Sequence, residues 1–124
     1  MENKLFIRLD ADNIGDGIEL ALLNENPTEA QSIHNKVQIG MQTLINMINS
    51  IEGNEILLVG SDDILFSSKE SILHLKLIED LRNEFYRTTM FTLSIGVGLT
   101  ISSALTNLMR AKLSGKDKIV QEDK

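Results

Sequence analysis

The chain has 124 residues, 42% of them hydrophobic, and its 18 acidic against 12 basic side chains leave a formal charge of -6. That length suits one domain, residues 1–124, with enough apolar matter for a core. The charge disfavours gripping long nucleic acids through their phosphates, the absence of cysteine excludes disulfides and thiolate metal sites, and no apolar run nears the roughly 20 residues that span a bilayer. With no signal-like amino terminus, a soluble protein in a reducing cytoplasm is expected.

KLFIRL, residues 4–9, alternates as a half-buried strand does and runs into the acidic cluster DADNIGD. A short helix follows from about Gly15 to Asn24. The single proline, Pro27, opens a second helix whose apolar stripe is Ile33, Val37, Met41, Leu44, Ile45, Ile48 and Ile51. This helix is expected to stop near Glu52-Gly53-Asn54, with the glycine as its C-terminal cap. EILLV reads as a second strand and ILF begins a third. The region from Glu70 to Tyr86 then carries Leu75, Ile78, Leu81 and Phe85 at helical spacing.

FTLSIGVGLTI reads as a fourth strand with Phe91, Leu93, Ile95, Val97, Leu99 and Ile101 on one face. Its other face is small, so a backbone, helix or ligand is expected to come close there. A last helix runs from about Ser102 to Leu113, and KDKIVQEDK holds a short edge strand. The methionines at 41, 47, 90 and 109 follow apolar faces and read as packing.

The order is β-α-β-β-α-β plus an extra helix. This is the split βαβ plan of an α+β, ferredoxin-like palm with a mostly antiparallel sheet. A right-handed crossover makes strands one and two parallel, with strand three between them and antiparallel to both. The exit of strand one and the tip of the second hairpin, GSDD, then share one end of the sheet. Asp10 and Asp12 are expected to converge on Asp62 and Asp63.

Carboxylates so close repel, and a divalent cation relieves that repulsion while polarising a phosphate. Alone, GSDD reads as turn chemistry. Asn13-Ile14-Gly15 reads either as helix capping or as a row of N–H groups suited to phosphate. His34 and His74 read as solvated surface residues, and no Ser-His-Asp arrangement is discernible. Lys112 and Lys116, flanking Gly115, serve either the helix dipole or a ligand.

These motifs together resemble the GGDEF and palm superfamily of nucleotidyl cyclases. Asp10-Ala11-Asp12 is similar to its first-strand metal motif, Gly60-Ser61-Asp62-Asp63-Ile64 to its GGDEF or GGDD hairpin, LSIGVG to its SxGxA-type strand, and NLMRAKLSGKDKIV to its ALYxAKxxGRNxV ending. Within the superfamily, RLDADNIGDGIE looks like the minimal CRISPR polymerases. The resemblance implies catalytic Asp10, Asp62 and Asp63, which with the Ala11 carbonyl hold two Mg²⁺ ions, or Mn²⁺ in their place. It further implies that Asn13, Ile14 and Gly15 present backbone donors to the triphosphate, that Asp12, Ile18, Gly60 and Ser61 belong to the nucleotide site, and that Lys112 and Lys116 contact phosphates.

The implied activity is synthesis of a 2′,3′-linked cyclic di-AMP from ATP for antiphage defence, with a membrane effector downstream and two protomers meeting as a homodimer. Ile18 stands where diguanylate cyclases carry a guanine-reading asparagine, which suits adenine better. Gly15 replaces their lysine, and Ser61 their second glycine. A catalytically silent nucleotide-binding palm and a small ferredoxin-like metal nuclease are the other readings.

Overall fold

The computed structural model describes residues 3–69 and 75–121. The elements are β1 (Lys4–Ala11), α1 (Ile14–Leu23), α2 (Pro27–Asn49), β2 (Glu55–Val59), β3 (Asp63–Lys69), α3 (Leu75–Thr89), β4 (Leu93–Gly98), α4 (Ile101–Leu113) and β5 (Ile119–Gln121). They form one sheet of order β2-β3-β1-β4-β5, in which only the β4–β5 pair is parallel. This is the expected palm order, with β3 between β1 and β2. The start of the region expected to be helical from Glu70, and His74 with it, lies outside the described residues.

Alternation along β1 sends Ile7, Leu9 and Ala11 to one face of the sheet, where they join Ile64, Phe66, Leu93, Ile95 and Val97. Helix α2 lays Ile33, Val37, Met41, Leu44 and Ile48 on that face, and α3 adds Ile78, Leu81 and Phe85. Together they make one continuous apolar core. Asn26 caps α2 by accepting a hydrogen bond from the Glu29 N–H at 3.0 Å, and Pro27 sits where its missing N–H costs nothing. The helix ends at Asn49, before the expected stop. Gly53, with φ of 100°, serves the turn into β2 instead.

The opposite face explains the glycines of LSIGVG. A Cβ on Gly96 would overlap the Ala104 carbonyl oxygen and the Leu108 nitrogen of α4 and lie 2.9 Å from the Asn107 carbonyl carbon. Helix α4 therefore rests directly on β4, and Asn107 donates to the Val97 carbonyl at 2.8 Å. The fourth strand is shorter than its alternation suggests. Thr100 and Ser103 form a reciprocal capping box that starts α4 at Ile101, and this leaves Leu99 and Ile101 half-exposed instead of extending the buried face. Met90 and Met109 are likewise exposed, so of the four methionines taken as packing only Met41 and Met47 pack against the core.

Candidate active site

The carboxyl end of β1 and the β2–β3 turn meet as the topology requires. Asp10 pairs with Asp63 across the β1–β3 ladder, and the Ala11 N–H donates to the Asp62 carbonyl at 2.9 Å. The turn is tight because Gly60 donates its N–H to the Asp63 carbonyl at 2.9 Å. A Cβ on Gly60 would push the Asp63 carboxylate out of its present place. Asp10, Asp62 and Asp63 each offer a carboxylate oxygen within 4.8 Å of the others.

Two cations temper this charge. Arg8 stands two residues before Asp10, hence on the same face of β1, and its Nη2 lies 2.7 Å from the Asp63 carboxylate. Lys112 reaches down from α4 with its Nζ at 3.0 Å from Asp10 Oδ1, 3.1 Å from the Ala11 carbonyl and 2.6 Å from Asp12 Oδ1. Asp62 has no such cationic partner in hydrogen-bond reach among the described residues. Burial, then repulsion by Asp10 and Asp63, push its carboxyl above the ordinary range against the pull of Lys112.

Asp12 corrects the expected four-carboxylate corner. Its side chain is fully buried and is not one of the three whose oxygens come within 4.8 Å of one another; it is joined to Asp10 through the shared Lys112 ammonium and is saturated with donors. Oδ1 accepts from Lys112 at 2.6 Å and Ser94 at 2.8 Å; Oδ2 accepts from Thr92 at 2.7 Å and the Asp117 N–H at 3.1 Å. Burial alone would raise its pKa, but these four hydrogen bonds outweigh it and hold Asp12 ionised below the ordinary value. Lys112 mirrors this: burial would lower its pKa, and the bonds to Asp12 and Asp10 raise it instead.

Beside the carboxylates, Asn13 takes the left-handed conformation at φ 64° and starts α1, so that the first N–H groups of the helix open next to Asp10 and Ala11. Asn13 makes no side-chain cap to α1. Its Oδ1 instead accepts from Lys116 Nζ at 2.6 Å. A pocket of about 220 Å³ lies between α1, α2 and the hairpin, lined by Ile14, Gly15, Ile18, His34, Val37, Gln38, Ser61 and Asp62. His34, Val37 and Gln38 were not foreseen as site residues. Val37 belongs to the core stripe and His34 has no partner motif in sequence; the Gln38 side chain donates to the Ser61 carbonyl at 3.0 Å and so joins α2 to the tip of the hairpin.

A model of the minimal CRISPR polymerase domain matches residues 6–122. The chain belongs to the minimal CRISPR polymerase family. No curated protein sequence matches it. Among solved structures it is similar to a Csm1–Csm4 cassette in complex with one ATP, with a TM-score of 0.77 and 15% identity over 94% of this chain. It spans only 20% of that larger chain. It is also similar to the active GGEEF domain of a diguanylate cyclase from Vibrio cholerae, with a TM-score of 0.64 and 16% identity, over 98% of this chain and 85% of that one. These likenesses give the fold, a palm of the GGDEF type. No helix among the described residues is long and apolar enough to cross a membrane.

Proposed function

We propose that this chain is a divalent-metal-dependent nucleotidyltransferase that joins two ATP molecules into a cyclic dinucleotide, 2′,3′-linked cyclic di-AMP, in the cytoplasm, as an antiphage signal read by a membrane effector. The observation that carries this reading is the in-register pair Asp10 and Asp63 with Asp62 at the hairpin tip, all within 4.8 Å, next to two lysines and the opening of a helix. Three carboxylates and a strand-end carbonyl form the all-oxygen donor set that Mg²⁺ or Mn²⁺ prefers, so the residues fit the metal. Asp10, Asp62, Asp63 and the Ala11 carbonyl would hold two such ions, which when bound would lower the pKa of the attacking ribose hydroxyl and neutralise charge on the phosphates.

The chain's own residues supply positioning. Asn13, Ile14 and Gly15 offer backbone N–H groups at the start of α1, where the helix dipole favours an anion. Lys112 and Lys116 would move from Asp10 and Asn13 onto phosphate oxygens, leaving Asp12 to hold Lys112 in range from behind. The 220 Å³ pocket would take the base against Ile14, Ile18 and Val37, with Ser61 on its hairpin side and Gly60 next to it in the same turn. Ile18 offers no hydrogen bond where diguanylate cyclases read guanine, which favours adenine. No protein nucleophile is needed, because each ribose hydroxyl attacks the α-phosphorus of the other nucleotide and pyrophosphate leaves with the electron pair.

One such site holds one triphosphate, so closing the ring calls for a homodimer whose two sites face each other during turnover. Incubating the purified chain with ATP and Mg²⁺ is expected to release pyrophosphate and a cyclic product identifiable by mass spectrometry and linkage-specific nucleases, and Asp10→Asn and Asp62→Asn are expected to abolish both. Bound but unaltered ATP after long incubation at high protein concentration would instead mark a silent palm.

A further inference from the structure

The turn between α4 and β5 is held in an unusual shape. Gly115, Lys116 and Asp117 all have positive φ, at 120°, 64° and 50°, and two of the three are side-chain-bearing residues that disfavour this region. Local sequence alone does not hold such a run. Five hydrogen bonds do so, one from the end of α4 and four from other elements. The Lys116 N–H donates to the Ala111 carbonyl at 2.9 Å, and the Asp117 N–H donates to Asp12 Oδ2 at 3.1 Å and Ser94 Oγ at 3.2 Å. Arg82 of α3 donates one Nη2 to both the Asp117 carbonyl at 2.7 Å and its Oδ1 at 2.8 Å.

The direction in which this turn is forced matters. It sends Lys116 Nζ to Asn13 Oδ1 at 2.6 Å, at the head of α1. Arg82 itself stands on another element, and its remaining ion pair is with Glu79 on its own helix at 2.9 Å. Its Nε is buried without a hydrogen-bond partner among the described residues, so the guanidinium is placed to suit Asp117 at the expense of its own saturation. Asp12 and Arg82 thus hold the same residue, Asp117, by its N–H on one hand and its carbonyl and carboxylate on the other, and Asp12 holds the second lysine, Lys112, as well.

Resting on the triphosphate reading above, we infer that Arg82 is a positioning residue for phosphate binding: through Asp117 it locks the strained 115–117 turn so that Lys116 is presented to the triphosphate. A loosened turn lets the lysine wander, and affinity falls although no phosphate contact has been deleted. The effect must therefore pass through Lys116, which separates it from a general loss of packing.

The test is a double-mutant cycle on the full chain, with binding of Mg²⁺·tripolyphosphate and of Mg²⁺·ATP measured by calorimetric titration. Lys116→Ala is expected to weaken binding about tenfold or more, the worth of one charge-assisted hydrogen bond, and Arg82→Ala by about fivefold. The double variant is expected to match Lys116→Ala alone to within about twofold. Should Arg82→Ala fail to fold, Asp117→Ala takes its place, since that side chain is 56% exposed and loses only the Oδ1 anchor. Wild-type affinity in Arg82→Ala, or in Asp117→Ala where that variant replaces it, or a loss that multiplies in the double variant, overturns the positioning role while leaving the triphosphate reading intact. Absence of any binding to the wild-type chain overturns both.

Discussion

Replacing Asp12 with asparagine changes almost no volume but strikes the residue that holds Lys112 directly and the Lys116 turn through the Asp117 N–H. The carboxylate accepts four hydrogen bonds, and an amide can accept on one side only. If its oxygen keeps Lys112 and Ser94, its NH₂ group faces the Asp117 N–H, a donor against a donor, and Thr92 has to turn its hydroxyl. One hydrogen bond is lost outright and the Lys112 ammonium, 26% exposed, loses its closest counter-charge. A charge-assisted bond contributes about 1.5–3 kcal/mol and a neutral one about 1 kcal/mol, so the cost is about 3 kcal/mol. For a chain of this size that is a fall of roughly 10 °C in melting temperature.

The pH dependence has a definite sign. Asp12 has a folded pKa below its ordinary 3.8, so its stabilisation is present above that value and disappears as pH falls through the folded one. The gap between wild type and Asp12→Asn should therefore be full at neutral pH and narrow only in strong acid. Calorimetric melts across pH, with Lys112→Met and the double variant completing a cycle, measure it. A variant melting within a degree of wild type at pH 7, or singles whose costs simply add, would refute the clamp described for Asp12.

Three further outcomes follow from the same structure. Gly96→Ala forces α4 off β4, and overpacking of this kind costs about 1–3 kcal/mol; it should also weaken triphosphate binding because Lys112 rides on α4, so unchanged melting and unchanged affinity would contradict the close helix–sheet contact. Asp62 has its pKa raised, so without metal its ionisation destabilises the fold progressively as pH rises above the ordinary 3.8. Metal-free Asp62→Asn should accordingly melt higher than wild type at pH 7 and equally in acid, whereas adding Mg²⁺ should raise the wild-type melt more than that of the variant.

The fold was readable because its signals were local and periodic: alternation in KLFIRL, the stripe along α2, and the small face of LSIGVG all found their predicted partners. Alternation overstates the length of β4 because it runs on through Leu99 and Ile101 while the chain has already turned, and the Thr100 and Ser103 capping box carries the decisive information. At the site, two-residue alternation and strand order were enough to bring Asp10 to the hairpin carboxylates. Those same rules stop at Ala11. Asp12 lies beyond the end of the strand, and its inward course depends on Thr92, Ser94 and Asp117, far away in sequence. Arg8 could have been found from its shared face with Asp10; Arg82 could not, because its partner belongs to a turn whose positive φ values no composition reveals.

The central claim is that Asp10, Asp62, Asp63 and the Ala11 carbonyl form a divalent-metal site for a nucleoside triphosphate. A crystal grown with Mn²⁺ and a non-hydrolysable ATP analogue, with anomalous diffraction recorded at the manganese edge, tests this directly. The account predicts anomalous peaks among those oxygens, with Lys112 and Lys116 displaced onto the phosphates. Ordered nucleotide with manganese elsewhere, and Lys112 still bonded to Asp10, would contradict it.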